Sequence, residues 1–244
     1  MPRHITTTRR PKASEHKLDV ILLAGVMGYR MKSYGPRCLM KIRKEETVLD
    51  RQLSILGSVY ANARTIVTTG FESDKVVKQY GGKLSLVEHQ YYTHNNEGDE
   101  ARLAINNSVA DHALIICGHI LFNQQAIRHI DLNESGIVID SRGHLDEGTI
   151  SVNHTEEHVT NILYGKEFKS KWSNIVYLTG KELKMFREIV QKEQCYRHFL
   201  HEIINSVIQS GGAMRVYNDP DAQLASINSY VDYLEIQKKE YNYV

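Results

Sequence analysis

Three short apolar runs in the first half of this chain each stop at a glycine, and helical patterns separate them. Asp19 to Ala24 is a near-continuous apolar run that ends at Gly25, the pattern of a strand buried on both faces. Ala63 to Thr69 is β-branched and stops at Gly70, and Ala113 to Cys117 stops at Gly118. Val48 to Ala61 carries Leu49, Leu53, Leu56 and Val59 at helical spacing. Ser73 to Tyr80 reads as a helix capped by Ser73, Leu84 to Glu88 as a further strand and Glu100 to Val109 as a further helix. Strands alternating with helices mean a mostly parallel sheet with crossover helices. Ligands bind such sheets beyond the carboxyl ends of the strands. The loops after Ala24, Gly70 and Cys117 are therefore expected on one edge.

The second half reads differently. Gly136 to Asp140, Thr149 to Val152, Val159 to Leu163 and Asn174 to Leu178 have the composition of strands, with turn residues between them. Lys181 to Lys192 is a helix with Leu183, Phe186 and Val190 on one side, and Phe199 to Gln209 is another, closed by Gly211-Gly212. Ala213 to Tyr217 reads as a short strand and Val231 to Glu240 as a closing helix. No repeat or linker interrupts the pattern, so residues 18–244 are expected to form one α/β domain behind a flexible basic tail, residues 1–17.

Composition narrows the classes of function. The chain is 41% hydrophobic and 24% charged, with a net charge of +1, so no global field argues for nucleic acid or a membrane surface. Arg3, Arg9, Arg10, Lys12 and Lys17 give the tail a basic character, read first as a solvated arm. Cys38, Cys117 and Cys195 lie far apart and form neither a redox pair nor a zinc spacing. So few cysteines suit a reducing compartment. No apolar run approaches the roughly 18 residues needed to span a bilayer, and the start lacks the apolar core of a signal peptide. The expectation is a cytoplasmic protein without a membrane partner.

Chemistry concentrates in the first loop. Gly25 and Gly28 allow a tight turn, and Arg30, Lys32 and Arg37 follow within a few residues, with Pro36 stiffening the return. Turn amides bind phosphate oxygens, and arginine can fork onto two of them. On composition alone the same residues also fit an ordinary turn with solvated cations. The loop is neither a Walker loop nor a Gly-x-Gly-x-x-Gly fingerprint.

The segment Leu23-Ala-Gly-Val-Met-Gly-Tyr-Arg-Met31, followed by Gly35-Pro-Arg-Cys-Leu39, resembles the signature of the sugar-phosphate nucleotidyltransferases. Val48-Leu-Asp-Arg-Gln52, Ile116-Cys-Gly-His-Ile-Leu-Phe122 and Ile227-Asn-Ser-Tyr-Val-Asp-Tyr233 resemble three further family segments, in the family's order. The resemblance spans Leu18 to Tyr233. It implies a Rossmann-like three-layer sandwich with a mostly parallel mixed central sheet. It also implies a reaction in which a small phosphorylated acceptor, such as a sugar 1-phosphate, attacks the α-phosphorus of a nucleoside triphosphate and releases pyrophosphate. By the same resemblance Leu23, Ala24, Gly25, Gly28 and Asn96 hold the nucleotide, and Arg30 steadies the leaving pyrophosphate. Arg37 contacts the phosphates in the transition state, and Trp172 and Glu202 line the acceptor. His119 and Asn228 stand at the metal positions for Mg²⁺ or Mn²⁺. Relatives with a mixed second half are often homodimers.

Three positions depart from the family pattern. Arg37 stands where the family has lysine, and His119 and Asn228 each replace an aspartate. Mg²⁺ prefers hard oxygen ligands. His119 could therefore serve a softer ion such as Mn²⁺, contact phosphate as an imidazolium, mark a site that has lost catalysis, or be an ordinary loop histidine. A nucleotide- or sugar-binding regulatory or assembly protein is the alternative to an enzyme.

Overall fold

The computed structural model of the chain describes residues 17–143, 145, 148–165, 168 and 170–238. The basic tail up to residue 16 and the expected end of the last helix at Glu240 lie outside the described residues. In chain order the elements are β1 (Leu18–Leu23), α1 (Val48–Val59), β2 (Arg64–Thr69), α2 (Ser73–Tyr80), β3 (Ser85–Glu88), α3 (Glu97–Asn106), β4 (His112–Cys117), β5 (Ile120–Phe122) and α4 (Gln125–Arg128). There follow β6 (Gly136–Asp140), β7 (Ile150–His154), β8 (Val159–Tyr164), β9 (Ser170–Thr179), α5 (Gly180–Ile189), α6 (Leu200–Gln209), β10 (Arg215–Tyr217), β11 (Leu224–Ser226) and α7 (Tyr230–Lys238).

The central sheet runs β10-β6-β9-β4-β1-β2-β3, with the β7–β8 hairpin joined to β9. Only β9 on that path is antiparallel to its neighbours, so the sheet is mixed but mostly parallel. Helices α3 and α5 lie against its strands, with α6 beside them. Tyr80 of α2 reaches Thr47 and Asp50 at the start of α1. Val20 to Leu22, Leu114 to Ile116 and Val176 have no exposed surface, as strands covered by helices on both faces require. Asp19, at the start of β1, is also fully buried, and Arg64 of β2 meets it with two bonds, Nη2 to Oδ2 at 2.6 Å and Nε to Oδ1 at 3.1 Å. Such a forked pair satisfies a buried carboxylate and fixes the register of β1 against β2.

Three local departures from the sequence expectation have physical causes. The residue before α2 is Glu72, held at φ 49°, and Ser73 donates its hydroxyl to Glu88 instead of capping the helix. Helix α3 begins at Glu97 rather than Glu100, because Gly98 lies in its first turn and weakens the helix signal in sequence. Strand β9 starts at Ser170 and carries Asn174 at φ 59°, near where its register against β6 shifts. A residue with positive φ inside a strand breaks the alternation that sequence reading relies on.

A second, smaller core ties the far end of the chain to the first loop. Met31, Met40, Val48, Leu121, Ile227 and Ile236 pack together. Strand β11 pairs with β5 just past β4. The two elements deliver Asn228 and α7 to the edge where β1 ends.

Candidate functional site

The ends of β1, β2 and β4 meet at this edge. Gly118 N–H donates to Leu23 O at 2.7 Å, and Phe71 N–H donates to Gly25 O at 3.0 Å. A Cβ on Gly118 would lie 2.7 Å from Ala24 Cβ, and one on Gly70 would lie 2.5 Å from Gly25 O. Both glycines are therefore needed for the three loops to approach so closely.

The first two amides of the loop after β1 are used internally. Ala24 N–H donates to Thr68 Oγ1 at 2.9 Å, and Gly25 N–H donates to Glu100 Oε1 at 2.5 Å. Thr68 also hydrogen-bonds the Glu100 carboxyl. The next three amides, of Val26, Met27 and Gly28, donate to none of the described residues. Turn amides without a protein partner are donors that an anion can use.

Arg37 covers that turn. A Cβ on Gly28 would lie 2.7 Å from Arg37 Nε and 2.8 Å from its Cδ, so the side chain lies flat on the glycine. Its Nη1 reaches Ile227 O and Asn228 Oδ1, each at 3.4 Å. Burial lowers its pKa, while the charges of Glu97 and Glu100 on α3 raise it. A guanidinium stays charged in such a setting. Met31 is fully buried in the small core, so its neighbours Arg30 and Lys32 stand exposed on the turn.

Gly28 has φ −74°, which alanine adopts freely, so Gly28→Ala isolates the Arg37 contact. Its melting temperature should stay near that of the wild type. Its affinity for any anion that uses Arg37 should fall by about tenfold to a hundredfold, the value of one displaced charge-assisted hydrogen bond. Thermal melts and calorimetric titration read the two effects separately.

The remaining residues singled out in the sequence divide into two groups. His119 follows β4, is 8% exposed, and is held well below the usual histidine pKa by burial and by the charge of Arg37. Both effects favour the neutral imidazole over the imidazolium. Asn228 lies beside it in the fold, since Ile227 N–H donates to His119 O at 3.0 Å. Leu23, Ala24, Gly25, Gly28, Arg37, His119 and Asn228 thus come together, with Arg30 at the rim.

Asn96, Trp172 and Glu202 are used for other contacts. Asn96 Nδ2 donates to Arg197 O at 2.6 Å and ties the start of α3 to the turn before α6. Glu202 Oε2 accepts from Phe199 N–H at 2.7 Å, completing the first turn of α6. Trp172 is 1% exposed, with Nε1 donating to Ile175 O. It still forms one wall of an open cleft that Ile120, Asp140, Lys171, Asn174 and Ser226 also line. Ile120 and Ser226 lie one and two residues from His119 and Asn228, so the cleft opens next to the loop site.

Sequence reading missed the acidic floor of the site. Glu97 and Glu100 stand three apart on the first turn of α3. Burial raises the pKa of both, that of Glu100 to about 7. Glu97 Oε2 accepts from Leu200 N–H at 3.0 Å, whereas Glu100 Oε2 is buried with no partner among the described residues. The available signal was a paired acidic first turn on the helix that returns to the sheet edge.

The divalent ion that the sequence resemblance implies is poorly matched by these residues. His119 offers an uncharged nitrogen, and the Asn228 amide oxygen already accepts from Arg37. Asp232 accepts from the Asn228 and Ser229 amides at the start of α7, and Asp219 pairs with His129 at 3.2 Å. Among the described residues no three His, Cys, Asp or Glu side chains are grouped to hold a metal. Cys38, Cys117 and Cys195 are free and buried. Among the described residues no helix is long and apolar enough to cross a membrane.

No protein-family model matches the chain, and no curated protein matches it in sequence. Solved structures do match its fold. A CTP:phosphocholine cytidylyltransferase from Streptococcus pneumoniae superposes with a TM-score of 0.74 at 15% identity, over 91% of this chain and 98% of that one. An inositol-1-phosphate CTP transferase from T. maritima gives 0.71 at 17% identity, over 93% and 97%. A UDP-glucose pyrophosphorylase bound to UDP-glucose gives 0.71 at 10% identity, over 91% and 97%. The fold of this chain is thus the one these nucleotidyltransferases share, as the motifs imply.

Proposed function

We propose that the protein is a nucleotidyltransferase that moves a nucleoside monophosphate from a triphosphate to a small phosphorylated acceptor. The observation that carries this reading is the placement of Arg37. It lies on Gly28, beside three amides that donate to no described residue, at the carboxyl edge of β1 and β4. An oxygen of the acceptor phosphate attacks the α-phosphorus, the bond from that phosphorus to the bridging oxygen breaks, and pyrophosphate leaves with the bonding electrons. Such a reaction depends on positioning and on neutralising charge. The Val26–Gly28 amides and Arg37 orient the triphosphate, Arg30 and Lys32 meet the leaving pyrophosphate, and the cleft beside Trp172 and Lys171 receives the acceptor.

The similar structures act on or bind phosphocholine, inositol 1-phosphate and UDP-glucose by their names, which supports a small phosphate monoester as acceptor class. Pyrophosphate release tests the reading, with each of the four triphosphates against phosphocholine, inositol 1-phosphate, glucose 1-phosphate and glycerol 3-phosphate. One productive pair, lost in Arg37→Gln, is the expected result. Tight triphosphate binding with no turnover on any acceptor would favour a binding protein instead.

A further inference from the structure

We infer that Arg37 supplies, as part of the chain, the positive charge a bound divalent ion would bring, so that this site takes up a triphosphate without a metal. The inference rests on the nucleotide reading above and adds how the charge is met. Histidine and asparagine rather than carboxylates stand at positions 119 and 228, which the bond from Ile227 N–H to His119 O brings next to each other. Neither brings a negative charge to attract and hold a hard cation. A cation is already present there, because Arg37 Nη1 reaches Asn228 Oδ1 and Ile227 O.

Both of those bonds are long, at 3.4 Å, and both use the same nitrogen. The Nε and Nη2 of Arg37 donate to none of the described residues, so most of the guanidinium's donors remain for phosphate oxygens. Glu97 and Glu100 on α3 are close enough that any charge they carry favours the charged guanidinium. Two carboxylates at positions 119 and 228 would draw the guanidinium into ion pairs. With a neutral pair its donors stay available, and the two departures from the family pattern and the arginine at position 37 act together.

The test is calorimetric titration of the wild-type protein with ATP, CTP, GTP and UTP, in EDTA and then in excess Mg²⁺, repeated with R37Q. The expected result is that one triphosphate binds in EDTA with a dissociation constant within about threefold of that in Mg²⁺. In R37Q the EDTA affinity should fall by about tenfold to a hundredfold, since glutamine stays polar but is shorter and loses the charged fork. Binding that appears only with Mg²⁺ overturns the inference and leaves the nucleotide reading standing. Binding by R37Q in EDTA equal to wild type also overturns it. Binding of no triphosphate under either condition overturns both.

Discussion

Gly98→Ala should destabilise the protein by about 3 kcal/mol or more, the scale of a severe overpacking defect. Gly98 lies in the first turn of α3, and a Cβ there would sit 2.0 Å from Cys195 O and 3.1 Å from His198 O. Both atoms belong to backbone, so no flexible side chain can swing aside. The Gly98 amide also donates to His198 O at 2.9 Å, so separating the two segments would break that bond. Helix α3 carries Glu97 and Glu100, and displacing it would release Gly25 from its carboxylate partner. Denaturant unfolding should show the loss in stability directly. A stability within 1 kcal/mol of wild type would mean that α3 and the turn before α6 do not approach this closely.

The second large effect is a pH dependence carried by Glu100. Burial pushes its carboxyl from the ordinary value of 4.5 up to about 7. The folded state therefore favours the protonated acid. Its contribution to stability is fully present below pH 4.5 and is lost as pH rises through about 7, with a total near 3 kcal/mol from the linkage relation. Glu97 is shifted in the same direction. His89, His119 and His201 are held below the ordinary histidine value by burial, so they oppose the trend and remove stability as pH falls. The diagnostic quantity is therefore the difference between the wild type and Glu100→Gln. Glutamine keeps an acceptor for Gly25 and Thr68 and does not titrate. The wild type should lose stability relative to the variant between pH 4.5 and pH 7, and a parallel pair of curves would show that Glu100 ionises normally.

What was legible in the sequence follows from which contacts leave a periodic mark. Strands β1, β2 and β4 end within two residues of glycines that bring three backbones together, and each glycine interrupts an apolar run, so strand ends and sheet edge could both be read. The apolar face with Leu183 and Phe186 on α5 and Val190 just past its end was equally plain, and all three are buried. Thr68 and Glu100 lie 32 residues apart on different elements, and no spacing rule links a strand threonine to a helix glutamate. Gly98 argues against a helix locally, although its missing side chain is what lets α3 dock. Strands β5 and β11, three residues each, are too short for alternation to register, yet they bring Asn228 to His119. The environment of His119 was open in the sequence, because only its burial and the nearby Arg37 favour the neutral ring.

The most direct measurement is amide hydrogen exchange of the wild-type protein with and without each of the four triphosphates. Binding at the edge of β1 should slow exchange in peptides covering residues 23–39, with smaller effects around 117–120 and 227–229, for at least one triphosphate. Unchanged exchange in residues 23–39 with all four, or protection confined to another part of the sheet, would contradict the assignment of this loop as the nucleotide site.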